Sequence, residues 1–311
     1  MVPTVASYMA RVRAETGRRD CVSRRHHYVP QSYLRAWSPD GRRVRVVDTQ
    51  RGTDQPQGLR DTCVKENFYR VANGVDAHNQ AEAMLAVIDD EAARLLRLLR
   101  AWSPGDDLDF GDFMSLAVVV ALQRNRTPQA RRHLDAMDAW QRERAAQTVP
   151  PLTAASHVTA LFDTAFRAAD ENSTRQLELW DDPGERFITS DQPVQLSAYA
   201  GRTFDQSSSN SQLWWPISPG RLVVLTNDLQ GVKVVHRTVG RSTVDQVRRA
   251  VVRGAESVII AKPGDAQLPV GKKLTRATAV AGRLLAGRAG RAQVPHRLHL
   301  GVRHGNGGPR L

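Results

Sequence analysis

The spacing of apolar positions divides the chain into three stretches. In the middle, Met84, Ile88, Ala92, Leu95 and Leu99 recur at three-to-four-residue intervals, which places one apolar stripe along a helix predicted over 77–102. Ser103-Pro104 ends it. A second helix over 108–125 is apolar on most sides through Leu116–Leu122, the pattern of a centrally buried helix. Thr127 then offers an N-cap with Pro128 at the first helical position, opening a third helix to about residue 146. Pro150-Pro151 separates it from a fourth over 152–171.

On either side the pattern is extended. Arg42–Asp48 follows the turn signal Ser38-Pro39-Asp40-Gly41 and predicts a strand, with a shorter extended piece over Asn67–Val71. Beyond Asn172, strands are predicted over Arg175–Trp180, Arg186–Ser190, Leu222–Asn227, Val232–His236 and Ser257–Ala261, with one helix over Ser242–Gly254. Strands and helices do not alternate, so a doubly wound sheet is disfavoured. The fold class is α+β: a small N-terminal β element, a central helical block, and a mostly antiparallel C-terminal sheet with one helix. The expected organisation is a single domain over 24–262, a flexible basic N-terminus over 1–23, and a basic, largely disordered tail over 263–311 that admits one helix over Ala277–Gly287.

No apolar run approaches the roughly 20 residues that cross a bilayer, and the N-terminus lacks the apolar segment of a secretory signal. A cytoplasmic protein with no membrane partner is expected. Cys21 and Cys63 cannot form a disulfide framework, and without a CxxC spacing they do not make a zinc site. The net charge of +12 is unevenly spread: residues 1–45 carry ten Arg against three acids, 266–311 carry nine Lys or Arg and no acid, and 46–265 are net −4. Basic ends on a mildly acidic body admit nucleic acid as a partner. The 39 Arg against five Lys are equally what a GC-rich genome produces without selection for any ligand.

Three motifs carry candidate chemistry. In Arg25-His26-His27-Tyr28-Val29-Pro30-Gln31-Ser32-Tyr33-Leu34, consecutive side chains on extended backbone point oppositely, so one histidine can face a site while its neighbour is held from behind. The alternative is a structural histidine bonded to nearby backbone. In Gln123-Arg124-Asn125-Arg126-Thr127-Pro128, two arginines stand at a helix–helix corner, where they can fork onto a phosphate or carboxylate or bond the preceding helix's free carbonyls. In Phe187-Ile188-Thr189-Ser190-Asp191-Gln192-Pro193, an apolar strand runs into a polar turn, the place either for a functional carboxylate or for an Asx turn. Trp214-Trp215-Pro216 reads as a core plug or as a stacking surface. GxGxxG after a strand, GxxxxGK[ST], GxSxG and HExxH are absent, which argues against a Rossmann dehydrogenase, a P-loop NTPase and a zincin. His296, His299 and His304 are too loosely spaced for a metal site.

Taken in order, these motifs resemble a bacterial family known as domain of unknown function 4238. Its pattern is a His-His-Tyr-x-Pro-Gln-x-Tyr-Leu opening, a strand, an acidic helix, a Gln-x-x-Arg-Thr-Pro junction, a strand ending in Thr-Ser-Asp-x-Pro, and a Pro-x-Ser-Pro turn. Here these fall at His26–Leu34, Arg42–Asp48, Ile88–Glu91, Gln123–Pro128, Thr189–Pro193 and Pro216–Pro219, so the resemblance covers roughly residues 24–262. Gln192 replaces the more usual Asn and Ser32 a common aromatic. The resemblance implies no activity.

The sequence alone therefore does not name a reaction, and three readings stand. The first is a hydrolase, most simply a phosphodiesterase or nuclease: His26, His27 and Asp191 act catalytically, Gln31, Tyr33, Gln123, Arg124, Arg126 and Ser190 bind substrate, and Glu91 with Asp191 can hold a divalent metal. The second is a non-catalytic nucleic-acid-binding protein using the basic termini. The third is an enzyme acting on a small anionic metabolite.

Overall fold

The computed structural model describes residues 4–16, 24–73, 76–78, 80–145, 150–198, 211–227 and 234–265. In chain order the elements are α1 (Val5–Thr16), β1 (Arg25–His27), α2 (Gln31–Leu34) running into a 3-10 turn at Arg35–Trp37, β2 (Arg43–Asp48), β3 (Thr53–Gly58), a 3-10 turn at Leu59–Asp61, β4 (Val64–Glu66), β5 (Val71–Asn73) and β6 (Asp76–His78). The helical block follows as α3 (Gln80–Ala101), α4 (Phe110–Asn125), α5 (Pro128–Arg144) and α6 (Ala154–Asn172). The C-terminal part comprises β7 (Gln176–Asp181), β8 (Thr189–Ser190), β9 (Gln195–Ala198), β10 (Ser211–Ser218), β11 (Arg221–Thr226), β12 (Val235–Thr238), α7 (Arg241–Gly254) and β13 (Val258–Ala261). This is an α+β fold. No helix among the described residues is long and apolar enough to cross a membrane.

The main sheet has the order β12-β7-β11-β10-β9 and is antiparallel except for the β12–β7 pair. One face carries Leu177, Leu179, Leu213, Trp215, Val223 and Leu225 into a core shared with α1, α3, α4 and α6. The other face carries Trp214, Leu222 and Val224 into a smaller core against Val244, Val247 and Val251 of α7. Adjacent residues on extended backbone point oppositely, so Trp214 and Trp215 plug different cores. Both are buried, which removes the stacking-surface alternative. Residues Met114–Gln123 of α4 are buried without a break, as its all-round apolarity requires.

A second sheet has the order β3-β2-β13-β8. The N-terminal β2–β3 hairpin is therefore completed by the last strand, which pairs Ile259 with Val47 on one side and with Ser190 on the other. Two departures from the expected elements follow from packing. Val5–Thr16, expected to be flexible, is a helix: Val5, Tyr8, Met9 and Val12 fall at i, i+3, i+4 and i+7 and are buried in the main core. Phe187 and Ile188, expected within a strand, are buried in the α7-side core, leaving only Thr189–Ser190 to pair. The expected tail from residue 266 on, with its helix over Ala277–Gly287 and its three histidines, lies outside the described residues, as does Cys21.

Candidate functional site

The motifs meet at the corner where α4 hands over to α5. Strand β1 pairs with β4 so that His26 stands opposite Lys65. The His26 ring is fully buried, lies parallel to that of Tyr69 at 5.7 Å, and its Nδ1 accepts the Tyr69 backbone N–H at 2.9 Å. A ring nitrogen that accepts a main-chain N–H spends its lone pair on the turn. His27 points the other way and is half-buried. Its Nε2 lies 3.2 Å from the Arg60 carbonyl. Burial, opposed by the Arg60 carbonyl and aided by the Arg25 and Arg126 cations, holds its pKa below the usual imidazole value. It is neutral at pH 7, and an Nε2–H donated to Arg60 leaves Nδ1 as the acceptor. Gln31, at the start of α2, is half-buried.

Arg126 is 3% exposed and forks onto Asp89 at 2.5 and 3.0 Å, while its Nη2 also donates to the His27 carbonyl at 2.7 Å. Its own carbonyl accepts the Tyr69 hydroxyl at 2.8 Å. Gln123 Nε2 donates to the Tyr28 carbonyl at 3.0 Å. The arginine and glutamine of the second motif thus hold down the backbone of the first. Arg124 is half-buried near Glu171, and its carbonyl accepts Gln192 Nε2 at 3.1 Å. Thr127, the N-cap of α5, donates its hydroxyl to Gln192 Oε1.

The third motif is bound the same way. Tyr33 donates its hydroxyl to the Pro216 carbonyl and shares a hydrogen bond with Thr189 Oγ1, each at 2.6 Å, and its ring stacks on Trp215. Ser190 Oγ closes a turn with the N–H and carbonyl of Gln192. Asp191 is 3% exposed. Its Oδ1 accepts the Glu256 N–H at 2.9 Å; its Oδ2 accepts the Ser257 N–H at 2.8 Å, the Ser257 hydroxyl at 2.8 Å and the Val258 N–H at 3.0 Å. Burial pushes its carboxyl up to about 6 against the pull of the Ser257 and Val258 donors, so at pH 7 it is the ionised acceptor they require. Its field reaches Tyr28, Cys63 and Lys65. Asp191 is the anchor of the α7–β13 corner.

Several expectations change accordingly. The carboxylates expected to share a metal have separate partners: Glu91 pairs with Arg94 on its own helix and faces Arg11 of α1, and Asp191 is held by backbone donors at the α7–β13 corner. No group of three metal-ligating side chains occurs among the described residues. Arg126, expected to bind substrate, binds Asp89, and Gln123, Tyr33 and Ser190 bond protein atoms. Of the two histidines only His27 reaches the surface. Sequence reasoning chose Glu91 on α3 and missed Asp89, which sits four residues after the buried Leu85, at the half-buried edge of the helix's core face.

A surface beside this corner was also missed. Lys65 Nζ lies 5.7 Å and the Arg131 guanidinium 5.3 Å from the centre of the Phe68 ring, and Arg131 also donates to the Phe68 carbonyl. Burial and the neighbouring Arg132 and Arg131 cations depress the Lys65 ammonium. Arg132 is ion-paired with Glu256. Lys65 and Arg131 thus crowd positive charge at the first turns of α5, the positive end of its dipole.

Fold and corner together define an α+β protein whose three sequence motifs build one interlocked polar junction. The chain belongs to the family described as protein of unknown function (DUF4238), whose model matches residues 25–265. No curated protein and no solved structure matches it.

Proposed function

We propose that this protein binds a polyanion, most simply a nucleic-acid backbone, on the cationic surface formed by Lys65, Phe68 and Arg131. The observation that carries the reading is the convergence of two cations on one aromatic ring at the start of α5, where the Arg131 cation makes the Lys65 charge costlier until an anion arrives. The motif residues serve this surface by fixing β4, the Phe68–Tyr69 turn and the α5 N-terminus relative to one another. Hydrolysis of the bound chain is the second reading. It rests on His27, the one motif histidine that reaches the surface, neutral at pH 7 and close to Arg25.

The test is fluorescence anisotropy of labelled single- and double-stranded DNA and RNA against the full chain across 50–200 mM salt. Lys65→Ala with Arg131→Ala lowers affinity and reduces the slope of log K against log salt by about 1.4–1.8, with the melting temperature unchanged. Unchanged affinity in this variant, with loss only on deleting residues 266–311, overturns the surface reading in favour of the basic tail. His27→Ala separates the two readings: it abolishes turnover and spares binding if hydrolysis occurs.

A further inference from the structure

Lysine is scarce in this chain: 39 Arg stand against five Lys, and of the five only Lys65 and Lys262 lie among the described residues. Lys262 is ion-paired with Glu185 at 3.0 Å. Lys65 makes no hydrogen bond or ion pair among the described residues. Its ammonium shares the Phe68 ring with the Arg131 guanidinium, the two charges standing 5.7 and 5.3 Å from one ring centre. A ring attracts cations without neutralising them. Arg132 adds a third positive charge from α5. The acid whose field reaches Lys65 is Asp191, and that carboxylate is committed to four donors at the α7–β13 corner. Partial burial of the ammonium, then the Arg132 and Arg131 cations, pull the Lys65 pKa down against Asp191, so more of it is free amine than in a lysine alone in water. The side chain is nonetheless exposed. An arginine in its place could not give up its proton.

We propose that Lys65 is an acylation site that takes its acyl group from an anionic donor of the acyl phosphate class, and that acylation closes the polyanion surface; this second part rests on the function proposed above. The neutral Nζ attacks the acyl carbon and an N–C bond forms. The C–O bond to phosphate breaks, phosphate leaves with the electron pair, and the amine proton passes to solvent. The Arg131 and Arg132 cations favour this donor over a neutral one, because they attract its phosphate and stabilise the departing one. The product is an uncharged amide, so the surface loses one positive charge and one contact to a phosphate. The coupling runs both ways: a bound polyanion holds Lys65 protonated and so protects it from acylation.

The test incubates the full chain with acetyl phosphate near neutral pH and reads the acetylation rate at each lysine by peptide mass spectrometry. Lys65 reacts at least about threefold faster than Lys262, and Arg131→Ala slows Lys65 without changing the rate at Lys262. Labelled DNA added beforehand slows Lys65 alone. In anisotropy, acetylation weakens binding and lowers the slope of log K against log salt by about 0.7–0.9, whereas Lys65→Arg, whatever its starting affinity, no longer responds to acetyl phosphate. Equal rates at Lys65 and Lys262, or a Lys65 rate that Arg131→Ala leaves unchanged, overturn the acylation site whether or not the chain binds nucleic acid. Binding that survives full acetylation of Lys65 overturns the closing of the surface. A fast Lys65 in a chain that binds no nucleic acid supports the acylation site and sinks the polyanion reading instead.

Discussion

Replacing Asp191 with alanine separates an anchoring carboxylate from a catalytic one. The side chain accepts three backbone N–H groups and one hydroxyl from Glu256, Ser257 and Val258. A hydrogen bond to an ionised acceptor contributes about 1.5–3 kcal/mol, so losing four at the lower figure costs about 6 kcal/mol. The donors act on a carboxylate that is costly to bury, and the carboxyl still sits at about 6 with them in place, so part of that 6 kcal/mol offsets desolvation and roughly half of it, about 3 kcal/mol, is the net loss. A net loss of about 3 kcal/mol lowers the melting temperature by roughly 6–12 °C in a domain of this size. Thermal unfolding by circular dichroism measures the shift. Hydrogen exchange locates it, with the amides of Glu256–Val258 losing protection first. A shift under about 2 °C with those amides still protected would refute the anchoring role.

The buried ion pair makes a second expectation. Arg126→Met strands Asp89 and the His27 carbonyl and costs about 3–5 kcal/mol in denaturant unfolding, whereas the Asp89→Leu/Arg126→Met pair costs clearly less than the sum of the two single changes. Glu82 supplies a pH signature. Burial raises its carboxyl from 4.5 to about 7, so the folded state holds a proton that the unfolded state has released, and its stability is fully present below pH 4.5 and lost as pH rises to 7. Glu82→Gln removes about 3 kcal/mol of that loss, raising the melting temperature at pH 8 relative to wild type while leaving it nearly unchanged at pH 4; parallel curves across this window would contradict it.

The helical block was legible because its cue is local. Ile88, Ala92, Leu95 and Leu99 declare a buried face whatever they pack against, Met84 lying partly buried at its edge, and Thr127-Pro128 starts α5 by its own chemistry. The strands were less so. β9 and β10 contain buried polar residues, Gln195 and Ser211, that break the alternation, and the Phe187-Ile188 run looks like strand yet packs as loop. Val5, Tyr8, Met9 and Val12 did hold a helical period, but within a segment whose charge suggested a tail. For the site, the sequence pointed to three motifs sharing one neighbourhood, and Gln192 joins Thr127 and Arg124 there. It could not give their roles. A histidine or aspartate can bond many partners, and those of His26 and Asp191 are backbone groups 43 to 67 residues away.

The position of β13 also bears on how the chain comes off the ribosome. β2 and β3 emerge early, yet one edge of β2 has no partner until residues 258–261 have been made. At about 5–20 residues per second, the roughly 200 intervening residues hold that edge open for ten seconds or more. Arg43 and Arg45 place charge along it, which discourages another nascent chain from pairing there first. The N–H groups that Asp191 awaits lie just before this late strand and at its first residue, so the corner locks only when nearly all of the matched region has been synthesised.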